Sequence, residues 1–268
     1  MSPHLLQNCL DVASRAAVRA GTLVASRAGR PKDVHTKSSA IDLVTEIDKA
    51  SEALLHRAIR RRFPDHGFQG EERTNANPGA PFRWSVDPLD GTMNFVHGMP
   101  HFAISIGLLH HREPVVGVIY DPMRRELYTA ITGGGARLNG RRIRVSRTHT
   151  MAASLLSTGF SLAFRRVPQR YLRWLIEFER GSHAVRRMGS TAMSLAYLAC
   201  GRLDGFYERD LWPWDFAGGV VLVQEAGGRV TDFDGGRVRL GTTRSRVVAS
   251  NGLIHDQMLA VLSENHSR

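Results

Sequence analysis

The chain has 268 residues, of which 42% are hydrophobic and 23% charged, a composition typical of folded proteins and unlike that of disordered or collagen-like chains. No apolar run reaches the roughly 18 residues of a membrane-spanning helix. The N-terminal residues also lack the basic and apolar regions of a signal peptide, so we expect a cytoplasmic protein with no membrane contact. Cys9 and Cys200 are the only cysteines, too few for a disulfide framework or a thiolate zinc site.

The net charge is strongly positive, with 36 Lys and Arg against 25 Asp and Glu, or +11. Such basicity is typical of proteins that bind nucleic acid, an anionic membrane surface or an anionic substrate. Only three of the 36 cations are lysine, a bias that codon composition explains more simply than phosphate binding does. The charge alone therefore does not select a function.

The first half of the chain predicts two helices followed by strands. Apolar residues recur at helical spacing over 4–28 and 45–62, and Thr45 is placed to cap the second helix. Further on the pattern shortens and is interrupted by Pro, Gly and charged turns. The predicted strands are 82–86, 103–109, 115–120 and 126–130.

After Arg147 the pattern changes to short strands that alternate with helices, which indicates layered α and β structure. The predicted strands are 154–157, 183–186, 203–207, 228–231 and 247–250, and the predicted helices are 171–179, 191–199, 216–226 and 253–262. No repeat or low-complexity linker separates the two halves. We therefore predict one domain over 1–268, with an N-terminal α+β half (1–147) and a C-terminal α/β half (148–268).

Ten of the 25 acidic residues fall in four short segments. Each segment by itself is typical of a turn, a solvated pair or a helix cap, but together they offer oxygen ligands from several parts of the chain. Such ligands suit Mg²⁺ or Mn²⁺, whereas zinc prefers His or Cys. Carboxylates that are brought together are costly unless a cation neutralises them. The acids are Asp42, Glu46 and Asp48; Glu71 and Glu72; Asp87 and Asp90; and Glu208, Asp210 and Asp215.

The segment D-P-L-D-G-T at 87–92 indicates a strand that ends in a tight turn. Pro88 fixes φ there, and Asp90-Gly91-Thr92 can open a helix, whose first amides would favour an anion such as phosphate. Together with the metal ligands, this predicts attack of a metal-activated water on a phosphate ester. The patterns of P-loop proteins, serine hydrolases and zincins are absent from the sequence.

These motifs resemble those of the inositol monophosphatase family, which are magnesium-dependent, lithium-sensitive phosphatases. The matching segments are 42–48, 70–72, 87–92 with 94–97, and 213–215 running into 225–228, and the likeness covers nearly the whole chain. Segments 120–124, 138–140 and 158–160 look like those of bacterial SuhB-type inositol-1-monophosphatases. The resemblance implies a layered αβαβα sandwich of the inositol monophosphatase and fructose-1,6-bisphosphatase type, classed as α+β or α/β, and a homodimer.

The resemblance also implies a metal site with two or three Mg²⁺ ions, or Mn²⁺ in their place. Glu71, Asp87 and the carbonyl oxygen of Leu89 would hold the first ion, and Glu71 would also help to hold a third. Asp87, Asp90 and Asp215 would hold the second. Glu72 would contact these ligands without binding a metal ion itself.

Catalytic and substrate-binding roles follow from the same resemblance. Asp48 and Thr92, with Glu71, would orient and deprotonate the attacking water, while the Gly91 and Thr92 amides bind the phosphate. Substrate contacts would come from Gly189, Ser190, Thr191, Glu208 and Asp215. Thr191 stands where the family frequently has alanine, and Gly218 stands where alanine is common.

Three functions remain open at this point. The first is hydrolysis of inositol 1-phosphate or a related polyol phosphate to the free alcohol and phosphate. The second keeps the site but changes the substrate to histidinol phosphate, a 3′-phosphoadenosine nucleotide or fructose 1,6-bisphosphate. The third is an accessory role in transcription antitermination or ribosomal-RNA processing, as in SuhB-type relatives, with contacts to RNA polymerase, Nus factors or RNA. Basic stretches at 57–62, 141–147 and 165–173 would supply those contacts.

Overall fold

The protein is described from a computed structural model. The structure describes residues 2–30, 34–36, 43–72, 74–165, 167–241 and 243–263. Asp42, one of the acids singled out above, lies outside these residues.

The helices of the described chain cluster near its start and in its second half. They are α1 (Pro3–Ala25), α2 (Glu46–Arg62), α3 (Thr92–Val96), α4 (Pro168–Gly181), α5 (Thr191–Ala199), α6 (Pro213–Glu225) and α7 (His255–Ser263), with 3₁₀ turns at Met151–Ala153 and Leu162–Arg165. None of them combines the length and apolar character that crossing a bilayer requires, over the residues described.

The strands of the first half are β1 (Val34–Thr36), β2 (Leu43–Thr45), β3 (Gly67–Gly70), β4 (Asn75–Ala76), β5 (Phe82–Asp90), β6 (Ala103–His110), β7 (Glu113–Asp121), β8 (Glu126–Ile131), β9 (Gly135–Leu138) and β10 (Arg141–Arg142). Those of the second half are β11 (Leu155–Thr158), β12 (Ala184–Arg186), β13 (Gly205–Leu211), β14 (Arg229–Thr231) and β15 (Ser245–Ser250).

Two sheets organise these strands. The larger has the order β10-β9-β8-β7-β6-β5-β3-β4 and is antiparallel except where β3 pairs with β5. The smaller has the order β12-β11-β13-β15-β14, with β11 parallel to both of its neighbours. A separate pair, β1 and β2, precedes α2.

The sheets and helices stack in five layers. Helices α1 and α2 cover one face of the large sheet, and α5 and α6 lie between its other face and the small sheet. Helices α4 and α7 cover the outer face of the small sheet. Each layer buries its apolar side against the next, as amphipathic elements must, and the predicted αβαβα sandwich is confirmed.

Most predicted elements are confirmed, with shifted ends. Helix α5 coincides with its prediction, and Thr45 caps α2 by accepting the backbone N–H of Ile47. The sequence did not predict the short strands β1, β2, β3, β4, β9 and β10, because two to four residues carry too little periodicity to be recognised. Both cysteines are free, and Cys9 is buried. The division of the domain near residue 147 stays a prediction.

Helix α6 lies unusually close to the large sheet. A methyl group on Gly117 of β7 would overlap the carbonyl oxygen of Gly218, and one on Gly218 would come within 2.8 Å of the Ile106 carbonyl oxygen. Glycine at 218 therefore matches this close approach. The approach matters for the site, because α6 begins beside it.

We expect Gly117→Ala to lower the free energy of unfolding by about 1–3 kcal/mol, since the added methyl group overpacks the contact between helix and sheet. Urea denaturation measures this change. Gly79→Ala is the matched control, because nothing lies within 4 Å of the methyl group it adds. Equal stability of the two variants would contradict this account of the packing.

Candidate active site

Residues from three of the four acidic segments line one cavity of about 320 Å³, and Asp48 of the remaining segment lies beside it, hydrogen-bonded to Thr92. The end of β5, the start of α3, the loop after β3, the start of α5 and the junction of β13 with α6 surround it. Of the residues predicted for the site, those lining it are Glu71, Asp87, Leu89, Asp90, Gly91, Thr92, Gly189, Ser190, Thr191, Glu208 and Asp215. Asp48 and Glu72 stand behind its wall, and Glu46 is exposed and pairs with Lys49.

The end of β5 shapes the floor of the cavity. The pairing of β5 with β6 shifts register between Asp87 and Asp90, at Pro88, which has no N–H for the sheet. The chain is held there because the Leu89 N–H donates to Asp87 Oδ1 (2.9 Å). Gly91 then adopts a left-handed conformation with φ of 96°, which glycine takes without strain, and α3 begins at Thr92. The predicted turn into a helix is confirmed.

The other two aspartates are fixed by the starts of helices. The Ala192 N–H at the start of α5 donates to Asp90 Oδ2 (2.6 Å), and the Ser190 hydroxyl donates to the same oxygen. At the start of α6, the Trp212 N–H donates to Asp215 Oδ2 (2.7 Å). Each carboxylate is therefore oriented through one oxygen before any ligand arrives.

Burial and mutual repulsion act on these acids together. Burial raises the pKa of Asp87 well above its usual value, and the charges of Glu71, Asp90 and Asp215 raise it further. Burial also raises the pKa of Asp90 to about 6 and that of Asp215 well above its usual value, with Glu71 contributing to both. The ionised forms of these acids are therefore unfavourable as long as no cation lies among them. A bound cation would stabilise the ionised forms, so the site favours cation binding.

The donor set fits a hard divalent cation. The candidate ligands are carboxylate and carbonyl oxygens, which Mg²⁺ and Mn²⁺ prefer, and the raised pKa values show that the acids interact. Over the described ranges, no three His, Cys, Asp or Glu side chains form a ready-made metal cluster.

Thr92 and Asp48 form a hydrogen-bonded pair beside the cavity. The Thr92 hydroxyl lies 3.0 Å from both Asp48 Oδ1 and the Leu89 carbonyl oxygen. Asp48 is buried, and its other oxygen accepts the Thr45 N–H (2.8 Å), which completes the cap of α2. The same carboxylate therefore fixes the start of α2 and supports the Thr92 hydroxyl.

Glu208 and Thr191 form a second hydrogen-bonded pair, and both line the cavity. The Thr191 hydroxyl donates to Glu208 Oε2 (2.9 Å). Burial raises the pKa of Glu208 to about 8, against the opposing effect of this hydrogen bond. The threonine, which departs from the alanine frequent in the family, thus orients the acid expected to bind substrate hydroxyls.

Sequence reasoning missed Glu52, which holds the loop that carries Glu71. Glu52 lies in α2 with 2% of its surface exposed. Its carboxylate accepts the N–H of Glu72 (2.6 Å) and both the N–H (3.0 Å) and the hydroxyl of Thr74. The signal was present, because Glu52 follows Asp48 by four residues and so shares its face of the helix.

A larger groove of about 770 Å³ lies along α4, away from this chemistry. Its apolar lining includes Val167, Leu172 and Ile176, which are all exposed. Glu177 is the one carboxylate among its lining residues, so this groove offers no comparable set of ligands.

Comparison with known proteins places this site in a family. The sequence matches the sequence model of the inositol monophosphatase family over residues 5–267. The chain belongs to the inositol monophosphatase family. An inositol-1-monophosphatase from Synechocystis is 42% identical over 263 residues, covering 98% of this chain and 91% of that protein. The Nus factor SuhB of Escherichia coli K12 is 41% identical over 260 residues, covering 96% and 97%.

Solved structures of the family have the same fold. The inositol monophosphatase from Anabaena superposes with a TM-score of 0.88 at 41% identity, covering 97% of this chain and 96% of that one. The extragenic suppressor protein suhB from Bartonella henselae gives 0.88 at 35% identity, covering 96% and 99%. Both likenesses extend over the acidic segments and the elements that carry them.

We expect Glu52→Ala to lower the free energy of unfolding by about 2–3 kcal/mol, because it leaves buried donors of the loop after β3 without an acceptor. Glu52→Gln keeps one acceptor oxygen and should lose less. Lys49→Ala, an exposed change on the same helix, is the control and should stay within about 0.5 kcal/mol. Thermal and urea unfolding measure the three variants, and equal losses in all of them would refute a supporting role for Glu52.

Proposed function

We propose that this chain is a Mg²⁺-dependent phosphomonoesterase that hydrolyses inositol 1-phosphate or a related polyol phosphate to the free alcohol and phosphate. Membership of the family and a relative named inositol-1-monophosphatase support a phosphatase role. The observation that carries the proposal is the convergence of Asp87, Asp90 and Asp215 with the Thr92–Asp48 pair on one cavity.

Two or three Mg²⁺ ions, or Mn²⁺, would be held by the oxygens described above. Glu71, Asp87 and the Leu89 carbonyl form one candidate set, and Asp87, Asp90 and Asp215 form the other. Bound there, the cation would supply charge neutralisation and Lewis acidity for the phosphate and the leaving oxygen. Its positive charge would also remove the repulsion that raises the pKa of these acids.

The chain's own residues would handle the attacking water. The Thr92 hydroxyl donates a hydrogen bond to Asp48, which leaves a lone pair on Thr92 Oγ1 free to accept a proton from the water. As the water oxygen bonds to phosphorus, its proton passes to this pair, and the bond from phosphorus to the alcohol oxygen breaks. The alcohol oxygen takes up a proton from solvent water as it leaves, and the Thr92–Asp48 pair returns the proton that it received to solvent. The Gly91 and Thr92 amides hold the phosphate oxygens.

The alcohol would bind at the opposite wall, formed by Gly189, Ser190, Thr191 and Glu208. Burial raises the pKa of Glu208 and so favours the protonated carboxyl group, which can both donate to and accept from a hydroxyl group. This suits a polyol better than an apolar alcohol. Histidinol phosphate, 3′-phosphoadenosine nucleotides and fructose 1,6-bisphosphate are the competing substrates in a panel of esters.

We also propose a cytoplasmic homodimer. The exposed apolar side chains of α4 offer a face for a second copy, and light scattering of the purified chain gives its mass directly. A monomer at micromolar concentration would refute this part of the proposal without affecting the chemistry.

Asp90→Asn should lower Mg²⁺-dependent phosphate release from inositol 1-phosphate by at least about 100-fold, because it removes a ligand charge from the site. The same change should leave the melting temperature of the metal-free protein equal or higher, since burial already disfavours the charge on Asp90. Phosphate release with Mg²⁺, without it and with added Li⁺ measures the first effect. Asp256→Asn, an exposed acid far from the cavity, is the control, and a loss of only a few-fold in Asp90→Asn would refute the metal assignment.

A second candidate function is an accessory role in transcription. Its support is a relative named Nus factor SuhB at 41% identity and a groove of about 510 Å³ between α1 and α2, into which Arg15, Arg19, Arg61 and Arg62 project. A groove with this charge suits a phosphodiester backbone.

If the groove binds RNA, the affinity for single-stranded RNA should fall steeply between about 50 mM and 200 mM salt, and Arg61→Gln with Arg62→Gln should weaken it. Filter binding measures both effects, with Arg237→Gln and Arg239→Gln, two exposed arginines outside the groove and the basic stretches, as a control of equal charge. Undetectable binding at low salt refutes direct RNA contact. Capture of RNA polymerase or Nus factors, identified by mass spectrometry, tests protein contacts separately.

A further inference from the structure

Asp210 lines the candidate active site but has no part in the chemistry described above. It stands two residues after Glu208 in β13, where the pairing with β15 becomes irregular. Its φ is 64°, in the left-handed region that glycine adopts freely and other residues seldom adopt. Backbone conformations that are seldom populated tend to occur at functional sites. The position of Asp210 at the cavity wall therefore indicates a functional role.

The carboxylate of Asp210 is held by three donors that all reach the same oxygen. Oδ2 accepts the Tyr171 hydroxyl (2.6 Å), the Arg209 Nε–H (3.1 Å) and the Ser161 hydroxyl (3.2 Å). Tyr171 belongs to α4 and is 2% exposed, so it is itself fixed by packing. Because Ser161 and Tyr171, distant in sequence, and the neighbouring Arg209 all donate to this oxygen, the side chain of Asp210 is held in one orientation.

These contacts also decide the charge of Asp210. Burial works to raise its pKa, but the hydrogen bond from Tyr171 and the positive charge of Arg209 outweigh burial and hold the pKa below its usual value. The group is therefore ionised at neutral pH and acts only as an acceptor.

The second oxygen, Oδ1, accepts no hydrogen bond from any residue in the part of the chain that the structure describes. Oδ2 of the ionised carboxylate already accepts three hydrogen bonds, whereas Oδ1 is available to accept one from a ligand. It shares the cavity with Thr191 and Glu208, the residues proposed to bind the alcohol. A hydroxyl donor is the ligand that complements this oxygen, since a second anion would be repelled.

We propose that Asp210 is a substrate-binding residue whose Oδ1 accepts a hydrogen bond from a hydroxyl group on the alcohol part of the phosphate ester. The inference rests on the proposed function and narrows it to esters of alcohols that carry further hydroxyl groups. A site with a fixed acceptor discriminates against an analogue that lacks the donor, because the acceptor is then left without a partner. The left-handed backbone and the three donors to Oδ2 together place Oδ1 for this contact.

The test compares two phosphate esters in the wild-type protein and in Asp210→Gly. Glycine adopts the left-handed conformation without strain, so the variant removes the carboxylate without opposing the fold. We expect KM for inositol 1-phosphate to rise about tenfold while kcat changes less than about twofold. KM for p-nitrophenyl phosphate, which has no other hydroxyl group, should change less than about twofold.

Three further variants separate binding from support. Asp210→Asn retains an acceptor oxygen and should recover part of the affinity. Tyr171→Phe removes one donor to Oδ2 but leaves Oδ1, so its KM should rise less than that of Asp210→Gly. Arg112→Gly places glycine at another left-handed position, with φ of 71° on an exposed turn, and should leave both esters unaffected. Equal rises in KM for both esters, or a parallel fall in kcat, would show a structural role only and overturn the proposal.

Calorimetric titration with inositol 1-phosphate separates this inference from the proposed function. If the wild-type protein binds the ester about tenfold more tightly than Asp210→Gly, the inference stands even where turnover is too slow to measure. Equal affinities overturn it, and so does the absence of binding by either protein. Absence of phosphate release from every ester, with binding intact, would instead count against the proposed phosphatase activity.

Discussion

The repulsion among buried carboxylates at the end of β5 is the constraint on which the rest of the site depends. Asp87 is buried and Asp90 and Asp215 are half-buried; this loss of solvent raises the pKa of each, and the charge of Glu71 raises it further. A fold that brings such groups together must hold them by other contacts, because their charges oppose the arrangement. The surrounding structure supplies those contacts, and a cation would then convert the opposing charge into binding affinity.

The starts of helices supply most of the contacts. The first turn of a helix has N–H groups without partners inside the helix, and acids that accept them are stabilised there. Asp48 serves α2, Asp90 serves α5 and Asp215 serves α6. One set of hydrogen bonds thus stabilises the helices and orients the acids. This explains why several layers of the sandwich end at the same cavity.

Acidic and basic residues are distributed unevenly in this chain. Ten acids are concentrated in the segments that supply the site, while the rest of the sequence has 15 acids against 36 basic residues. Cations bound among the acids would make the cavity attractive to a phosphate dianion, and the basic surface would raise the local concentration of that anion. The excess of arginine that suggested nucleic acid therefore also suits a small phosphorylated substrate.

The sequence by itself determined the long helices, the central strands and the acidic segments, because these depend on local periodicity and on the chemistry of a few adjacent residues. It also determined the turn at Asp90-Gly91-Thr92 and the cap at Thr45. The very short strands could not be predicted from the sequence, since they form only by pairing with a neighbouring strand.

Only the tertiary structure decided which polar groups meet. Glu52 reaches the loop after β3 across about twenty residues, Thr191 reaches Glu208, and Tyr171 reaches Asp210 across 39. No local pattern records such contacts, because hydrogen bonds between distant segments depend on the packing of whole layers. The sequence named the acids of the site, and the packing of the layers set their charge, their orientation and the oxygen left for a ligand.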